Sequence, residues 1–208
     1  MTYHHQKGSS MKYPNISAVI LAGGRSSRMG GEDKGLTPFD GKPMIEHVIA
    51  VLATLTPHIM INANRNLERY QQLGYPVISD ETQDYDGPLA GFLVAMEAAK
   101  TNEVLLLPCD SPLLSRELID RLIKQKQALN AEIAVAHDGQ RLQPVYALLS
   151  IGLKDSLRAF LAGGERKVDR WYLQHFVTEV DCSDIPEAFA NINTPEELRK
   201  LEHARGSA

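Results

Sequence analysis

Ala18-Val-Ile-Leu-Ala-Gly-Gly-Arg-Ser-Ser-Arg-Met-Gly-Gly-Glu-Asp-Lys34 contains the transition that decides the fold. Residues 18–21 form an apolar run that reads as a short buried strand. The apolar pattern then stops. A loop follows with four glycines (Gly23, Gly24, Gly30, Gly31) and three cations (Arg25, Arg28, Lys34). Glycine has no Cβ, so it takes positive φ freely and lets a ligand approach main-chain N–H groups. Consecutive N–H groups in such a turn make a concave anion site, and nearby Arg and Lys add full charges to it. Glycines alone often mark only a loop; the three cations turn the reading toward a triphosphate. No Gly-Lys is followed by Ser or Thr, and G-x-G-x-x-G does not fit. Neither a P-loop hydrolase nor an ordinary dinucleotide binder is indicated.

Working outward from this loop, strands and helices alternate. Residues 36–39 read as a short extended piece, and Asp40-Gly41 is a turn signal. Pro43 opens a helix with Ile45, Val48, Ile49 and Leu52 at helical spacing. Residues 58–62 read as a strand ending in Asn62, 67–73 as a helix closed by Gly74, and Val77-Ile78 as a strand leading to Asp80. Asp86-Gly87-Pro88 starts the next helix, whose buried stripe is Leu89, Leu93 and Met96. Residues 103–108 carry Val-Leu-Leu-Leu, a strand buried on both faces, and end in Cys109-Asp110-Ser111-Pro112. Ser115 caps a helix that turns Leu118, Ile119, Leu122 and Ile123 to the core.

The rhythm then changes. Residues 133–137 and 142–149 flank Asp138-Gly139, a hairpin signal. Helices over 153–161 and 168–174, a strand over 176–180 and a capped helix from Thr194-Pro195-Glu196-Glu197 complete the pattern. The expected architecture is a three-layer, Rossmann-like α/β fold, with a mostly parallel mixed sheet and helices on both faces. In open α/β sheets ligands bind beyond the carboxyl ends of the strands. That rule selects the glycine loop, Asn62, Asp80 and Asp110.

Length and composition narrow the function. A chain of 208 residues with 43% apolar and 23% charged residues is an ordinary globular protein, read as a single domain over 11–208. Residues 1–10, with His4-His5 and Gly8-Ser9-Ser10, look like a tag or linker remnant, and Gly206-Ser207 resembles the same. The formal charge of −4 argues against nucleic acid or an anionic membrane as partner, and no apolar run is long enough to span a bilayer. Two cysteines, Cys109 and Cys182, fit a reducing cytoplasm without a disulfide framework. The seven His are scattered, with no zinc-site spacing.

Asp110 ends the most apolar strand, and Pro112 disfavours an immediate helix, which leaves the carboxylate in a turn. An isolated Asp-Ser-Pro is as readily a capping turn. Beside a cationic loop it is the candidate ligand for Mg²⁺, which binds through one or two carboxylates plus substrate phosphates. Cys109 reads as packing, because no His is paired with it. Asn62 and Asp80 are either ordinary turn residues or the donors and acceptors that read a purine edge or a ribose; guanine offers N–H donors that want a carbonyl or carboxylate partner. Asn193 is a turn residue or closes the metal site. Pro144 marks an edge or a bulge beside Arg141 and Gln143. Arg166, Lys167 and Arg170 read as a solvated helix face rather than a second-substrate contact.

These stretches taken together, with Asp33-Lys34, Gly87-Pro-Leu-Ala-Gly91, Pro108-Cys-Asp-Ser-Pro112, Arg141-Leu-Gln-Pro144 and Asn191-Ile-Asn-Thr-Pro-Glu-Glu-Leu198, resemble the molybdenum cofactor guanylyltransferases over residues 16–201. The resemblance implies a nucleotidyltransferase that moves GMP from GTP to the phosphate of molybdenum-molybdopterin and releases pyrophosphate. It implies GTP held along Leu21, Ala22, Gly23 and Gly24 and by Lys34, Asn62, Asp80 and Asp110, with Asp110 holding Mg²⁺. Lys34, Arg28 and Asp110 are then the catalytic groups, since the task is to bring one anion against another. The resemblance also implies docking with molybdenum-insertion proteins and molybdoenzyme chaperones. The alternatives left open are CTP on the same pterin, GTP on another phosphate, or a carrier of nucleotide or cofactor without turnover.

Overall fold

The computed structural model describes residues 12–23, 33–80, 87–190, 192 and 197. In chain order they form β1 (Ile16–Leu21), the small hairpin β2 (Pro38–Phe39) and β3 (Lys42–Pro43), α1 (Met44–Leu52), β4 (His58–Asn62), α2 (Leu67–Gln71) and β5 (Val77–Ile78). Then come α3 (Pro88–Ala98), β6 (Glu103–Pro108), α4 (Arg116–Leu129), β7 (Ile133–His137), β8 (Leu142–Ser150), α5 (Lys154–Ala162), α6 (Val168–Tyr172) and β9 (Val177–Asp181). The capped helix expected from Thr194 lies outside the described residues except at Glu197.

Among the described residues seven strands make one sheet in the order β5-β4-β1-β6-β8-β7-β9. β4, β5 and β6 join β1 in parallel, β8 runs against β6 and β7, and β9 lies parallel to β7. β8 is therefore the single reversed strand, and the sheet is mostly parallel, as the alternating pattern predicts. β6 is its middle strand, which explains why Val104–Leu107 could be apolar without interruption: such a strand is buried on both faces.

Period-two alternation distributes each strand between two cores. Ile16, Ala18 and Ile20 of β1 with Leu105 and Leu107 of β6 face one helix layer, where α1 supplies Ile45, Val48 and Leu52 and α4 supplies Leu118, Leu122 and Ile123. Val19, Val104 and Leu106 face the other, against Leu89, Phe92 and Met96 of α3, Leu157 of α5 and Trp171 of α6. The result is three layers, helix, sheet and helix. On α3 the stripe is wider than Leu89, Leu93 and Met96: Phe92 and Ala95 are fully buried while Leu93 is half-buried, because this helix is apolar almost all round. The extended piece expected over 36–39 is shorter, since residues Lys34–Leu36 wind into a 3₁₀ turn before β2.

The hairpin forms at Asp138-Gly139, where Gly139 has φ +94°. Asp138 accepts bonds from the N–H groups of Gln140 and Arg141, so the turn closes through its side chain. Pro144 does not sit on an edge strand. The register jumps from Val135–Ala147 to Ala136–Gln143, so residues 144–146 bulge out of an interior strand. The bulge accommodates a proline that cannot donate to the ladder.

At the far end of the sheet the buried ammonium of Lys126 on α4 donates to Glu103 Oε1 (3.0 Å) and Ser150 Oγ (2.7 Å), joining the paired residues Glu103 and Ser150 of β6 and β8. Lys126→Met would leave the Glu103 carboxylate without its counter-charge. Denaturant unfolding is expected to show a loss of about 2–3 kcal/mol; a loss under ~0.5 kcal/mol would mean that water serves Glu103 equally well.

Candidate active site

Leu21 at the end of β1 pairs with Asn62 on one side and Pro108 on the other, so three parallel strands end level. β1 is continued on the β4 side, while the chain returns to place β6 on its opposite side. The crevice where the winding reverses is the place where open α/β sheets take ligands. A cleft of about 430 Å³ occupies it, within the range of small-molecule sites. Leu21, Ala22, Gly23, Lys34, Asn62, Asp80 and Asp110 all line this cleft, with Asp33, Gly87, Pro88, Gly91, Cys109 and Val145. Residues as distant in sequence as Leu21 and Asp110 thus share one wall because their strands end at one sheet edge. Arg28 and Gly24, like Arg25, Gly30, Gly31 and Asn193, lie outside the described residues.

One end of the cleft is charged. Lys34 Nζ stands 3.3 Å from Asp110 Oδ2, both side chains being largely buried. The backbone that delivers Lys34 is held from beneath. Asp33 is buried, and its carboxylate accepts from Tyr70 OH (2.5 Å) and from Asn66 Nδ2 (3.2 Å). Burial, first, and then the charges around it hold the Tyr70 hydroxyl far above its ordinary range, so it stays a donor. Gly35 completes the fit: a Cβ there would lie 2.8 Å from Tyr70 OH and 3.1 Å from Cys109. Nothing in the local sequence announces this contact, since Asp33 and Tyr70 meet only through the fold.

Asp33 has both oxygens engaged by neutral donors, which leaves Asp110 as the carboxylate beside Lys34. Among the described residues there is no cluster of three or more His, Cys, Asp or Glu. A site with one or two carboxylates suits a cation that takes most of its ligands from a bound phosphate. Cys109 is buried, and burial, with Asp110 next, pushes its thiol well above the ordinary value. A neutral thiol is a poor nucleophile. Its work is packing against Gly35, as its lack of a paired His suggests.

The other end of the cleft is built from amides. Asn62, buried at the end of β4, donates through Nδ2 to Asp80 Oδ1 (2.9 Å). Asn64, two residues on, donates to Asp80 Oδ2 (2.8 Å) and accepts the Asp80 N–H (2.9 Å). Two glycines make room. A Cβ on Gly91 of α3 would lie 2.7 Å from Asn62 Oδ1, and one on Gly23 would lie 3.1 Å from Asn64 Nδ2. Gly91 therefore has a steric reason to be glycine within a helix, a position that otherwise disfavours it. The sequence signal for Asn64 was its spacing of two from Asn62.

The bulge turns Val145 toward the cleft, whereas Gln143 is spent on Asp138 (2.5 Å) within the hairpin. Tyr146, beside Val145, meets the buried Ser111 through its hydroxyl at 2.5 Å, which ties the turn after Asp110 to β8. Arg166 donates to the Leu161 and Glu165 carbonyls and Arg170 pairs with Glu165, so their side chains serve the exposed region around α6. The three residues Arg166, Lys167 and Arg170 are absent from the lining of the cleft.

Residues 18–178 match the model of the MobA-like NTP transferase domain. The chain is 52% identical over 189 residues to a molybdenum cofactor guanylyltransferase of Shewanella woodyi, covering 91% of this chain and 96% of that one. A namesake from Shewanella sediminis is 50% identical, with the same coverage. Among solved structures, the molybdopterin-guanine dinucleotide biosynthesis protein A of Archaeoglobus fulgidus superposes with a TM-score of 0.76 at 21% identity, over 93% of this chain and all of that one. The 4-diphosphocytidyl-2C-methyl-D-erythritol synthase of Anaerococcus prevotii gives 0.71 at 13% identity, over 93% and 96%. These two likenesses concern the fold.

Two outcomes are expected from the geometry. Gly91→Ala should displace Asn62 and raise the Kd for the cleft's ligand by about tenfold with the fold retained, read by calorimetry and circular dichroism; an unchanged Kd would mean that Asn62 has slack. Cys109→Ala should keep turnover within about threefold of the parent, and a loss of orders of magnitude would mean that the thiol takes part in the reaction.

Proposed function

The chain belongs to the MobA-like NTP transferase family, and we propose that it is a molybdenum cofactor guanylyltransferase, moving GMP from GTP to the phosphate of molybdenum-molybdopterin with release of pyrophosphate. The observation that carries this reading is the polarity of one cleft: Lys34 with Asp110 at one end, the Asn62–Asp80 pair at the other. The charged end suits phosphates. The end with an acceptor-only carboxylate suits a base that presents adjacent N–H donors, as guanine does.

In this reading the backbone of Leu21, Ala22 and Gly23 lines the nucleotide. Because the Ala22 N–H already donates to the Asn62 carbonyl at 2.7 Å, phosphate oxygens fall to the main chain from Gly23 onward, and Gly24 and Arg28 of the glycine loop are assigned the same role. Lys34 stays within reach of Asp110 and offsets charge that grows on pyrophosphate as the bond to the α-phosphorus breaks. The attacking group is a phosphate monoester, whose second pKa of roughly 6 leaves it ionised at neutral pH. It needs no general base. Among the described residues that line the cleft, Cys109 is held as a neutral thiol and none is His. Asp110 is the residue that would hold Mg²⁺, which when bound screens the repulsion between the two phosphate groups and polarises the oxygens of the one attacked.

The proposal extends to the organisation of the chain as one unit over 11–208 and to work in the cytoplasm on a pterin delivered by molybdenum-insertion proteins, with molybdoenzyme chaperones receiving the product. No helix among the described residues is long and apolar enough to cross a membrane.

Lys34→Ala and Asp110→Ala are each expected to lower kcat by about two to three orders of magnitude with circular dichroism unchanged. Near-parental turnover in either purified variant would remove that residue from catalysis. Pyrophosphate release should occur with GTP and molybdopterin and be far slower with CTP, ATP or UTP. Preference for CTP would point to a cytidylyl transfer, and GTP binding without release to a carrier.

A further inference from the structure

Both ends of the Asn64 side-chain amide engage one residue. Its Oδ1 accepts the Asp80 N–H at 2.9 Å, and its Nδ2 donates to Asp80 Oδ2 at 2.8 Å. The two bonds close a ring through the backbone and the carboxylate of Asp80, which fixes the rotation of that carboxylate. Asn62 Nδ2 holds the second oxygen, Oδ1, at 2.9 Å. An ionised carboxylate has about four lone-pair sites, so one donor on each oxygen leaves acceptor capacity on both. Asp80 lines the cleft and Asn64 does not. Asn64 lies behind it, with its Nδ2 only 3.1 Å from where a Cβ on Gly23 would stand.

We propose that Asn64 is a positioning residue that sets nucleobase selection: by locking Asp80 it aims both carboxylate oxygens, side by side, at the two adjacent donors N1–H and N2–H of guanine. The inference rests on the guanine-nucleotide reading given above. A carboxylate free to rotate would still attract one N–H donor, but it would lose the paired geometry that separates guanine from hypoxanthine, which lacks the 2-amino group. A site built to satisfy a pair of hydrogen bonds discriminates strongly only when its own groups are fixed.

The test is calorimetric binding of GTP and ITP to the parent, Asn64→Ala and Asn64→Asp, with melting temperatures recorded alongside. Asn64→Asp keeps an acceptor for the Asp80 N–H but sets a like charge where a donor faced Oδ2, so it is read beside Asn64→Ala, which removes the amide without adding charge. The expected result is that the ratio of ITP to GTP Kd falls by about tenfold in both variants, with melting temperatures within about 4 °C of the parent. A ratio within twofold of the parent in both, while the parent itself prefers GTP, would overturn the role of Asn64 alone. A parent that binds ITP as well as GTP, or binds neither, would overturn the guanine reading and this inference with it.

Discussion

The structure depends on getting two like charges to meet. Transfer between phosphate groups needs little covalent help from a protein; it needs positioning and a place where anionic charge is tolerated. In the proposed function that place is the reversal point of a parallel sheet, where the ends of β1, β4 and β6 lie level. Lys34 and Asp110 stand at these strand ends, and among the described residues one buried cluster on each side of the sheet backs them. The cation is not left to a flexible loop. Asp33, Tyr70 and Asn66 pin the turn that carries it, and Gly35 lets that turn sit against Cys109.

The cleft is asymmetric in chemistry as well as in place. Its charged end has an ion pair at 3.3 Å, and its other end has a carboxylate held by two neutral amides. Both carboxylates are acceptors, yet they face different partners. Asp110 lies beside an ammonium, so under the proposed function an incoming phosphate or metal ion would exchange with existing charge. Asp80 accepts from the amides of Asn62 and Asn64, one on each oxygen, and keeps acceptor sites for further N–H donors. Asp33, a third carboxylate in the cleft wall, differs by being buried; it accepts from Tyr70 and Asn66 and works as a structural member. The small residues Gly23 and Gly91 let these side chains pack shoulder to shoulder.

Much of this was legible in the sequence, for physical reasons that can be named. β1 and β6 are interior parallel strands, and burial on both faces writes them as uninterrupted apolar runs. A strand that ends in polar residues then points to the ligand edge, which is how Asn62, Asp80 and Asp110 came to be selected and why they line one cleft. The hairpin at Asp138-Gly139 was equally readable, because its turn chemistry is local. Other features were not. The bond from Tyr70 to Asp33 spans 37 residues and that from Asn64 to Asp80 spans 16; both depend on strand pairing that no local pattern encodes. The position of β8 inside the sheet turned Pro144 from a possible edge marker into a bulge, and with it brought Val145 to the cleft. The wide apolar face of α3 hid which of its residues face inward until the sheet was seen beneath it.

The most direct measurement of the central claim is a crystal structure of the protein with GTP and Mg²⁺. The account predicts the phosphates beside Lys34 and Asp110, with Mg²⁺ on the Asp110 carboxylate, and the guanine edge hydrogen-bonded to Asp80. A nucleotide bound in the reverse sense, or outside the crevice between the ends of β1 and β6, would contradict it.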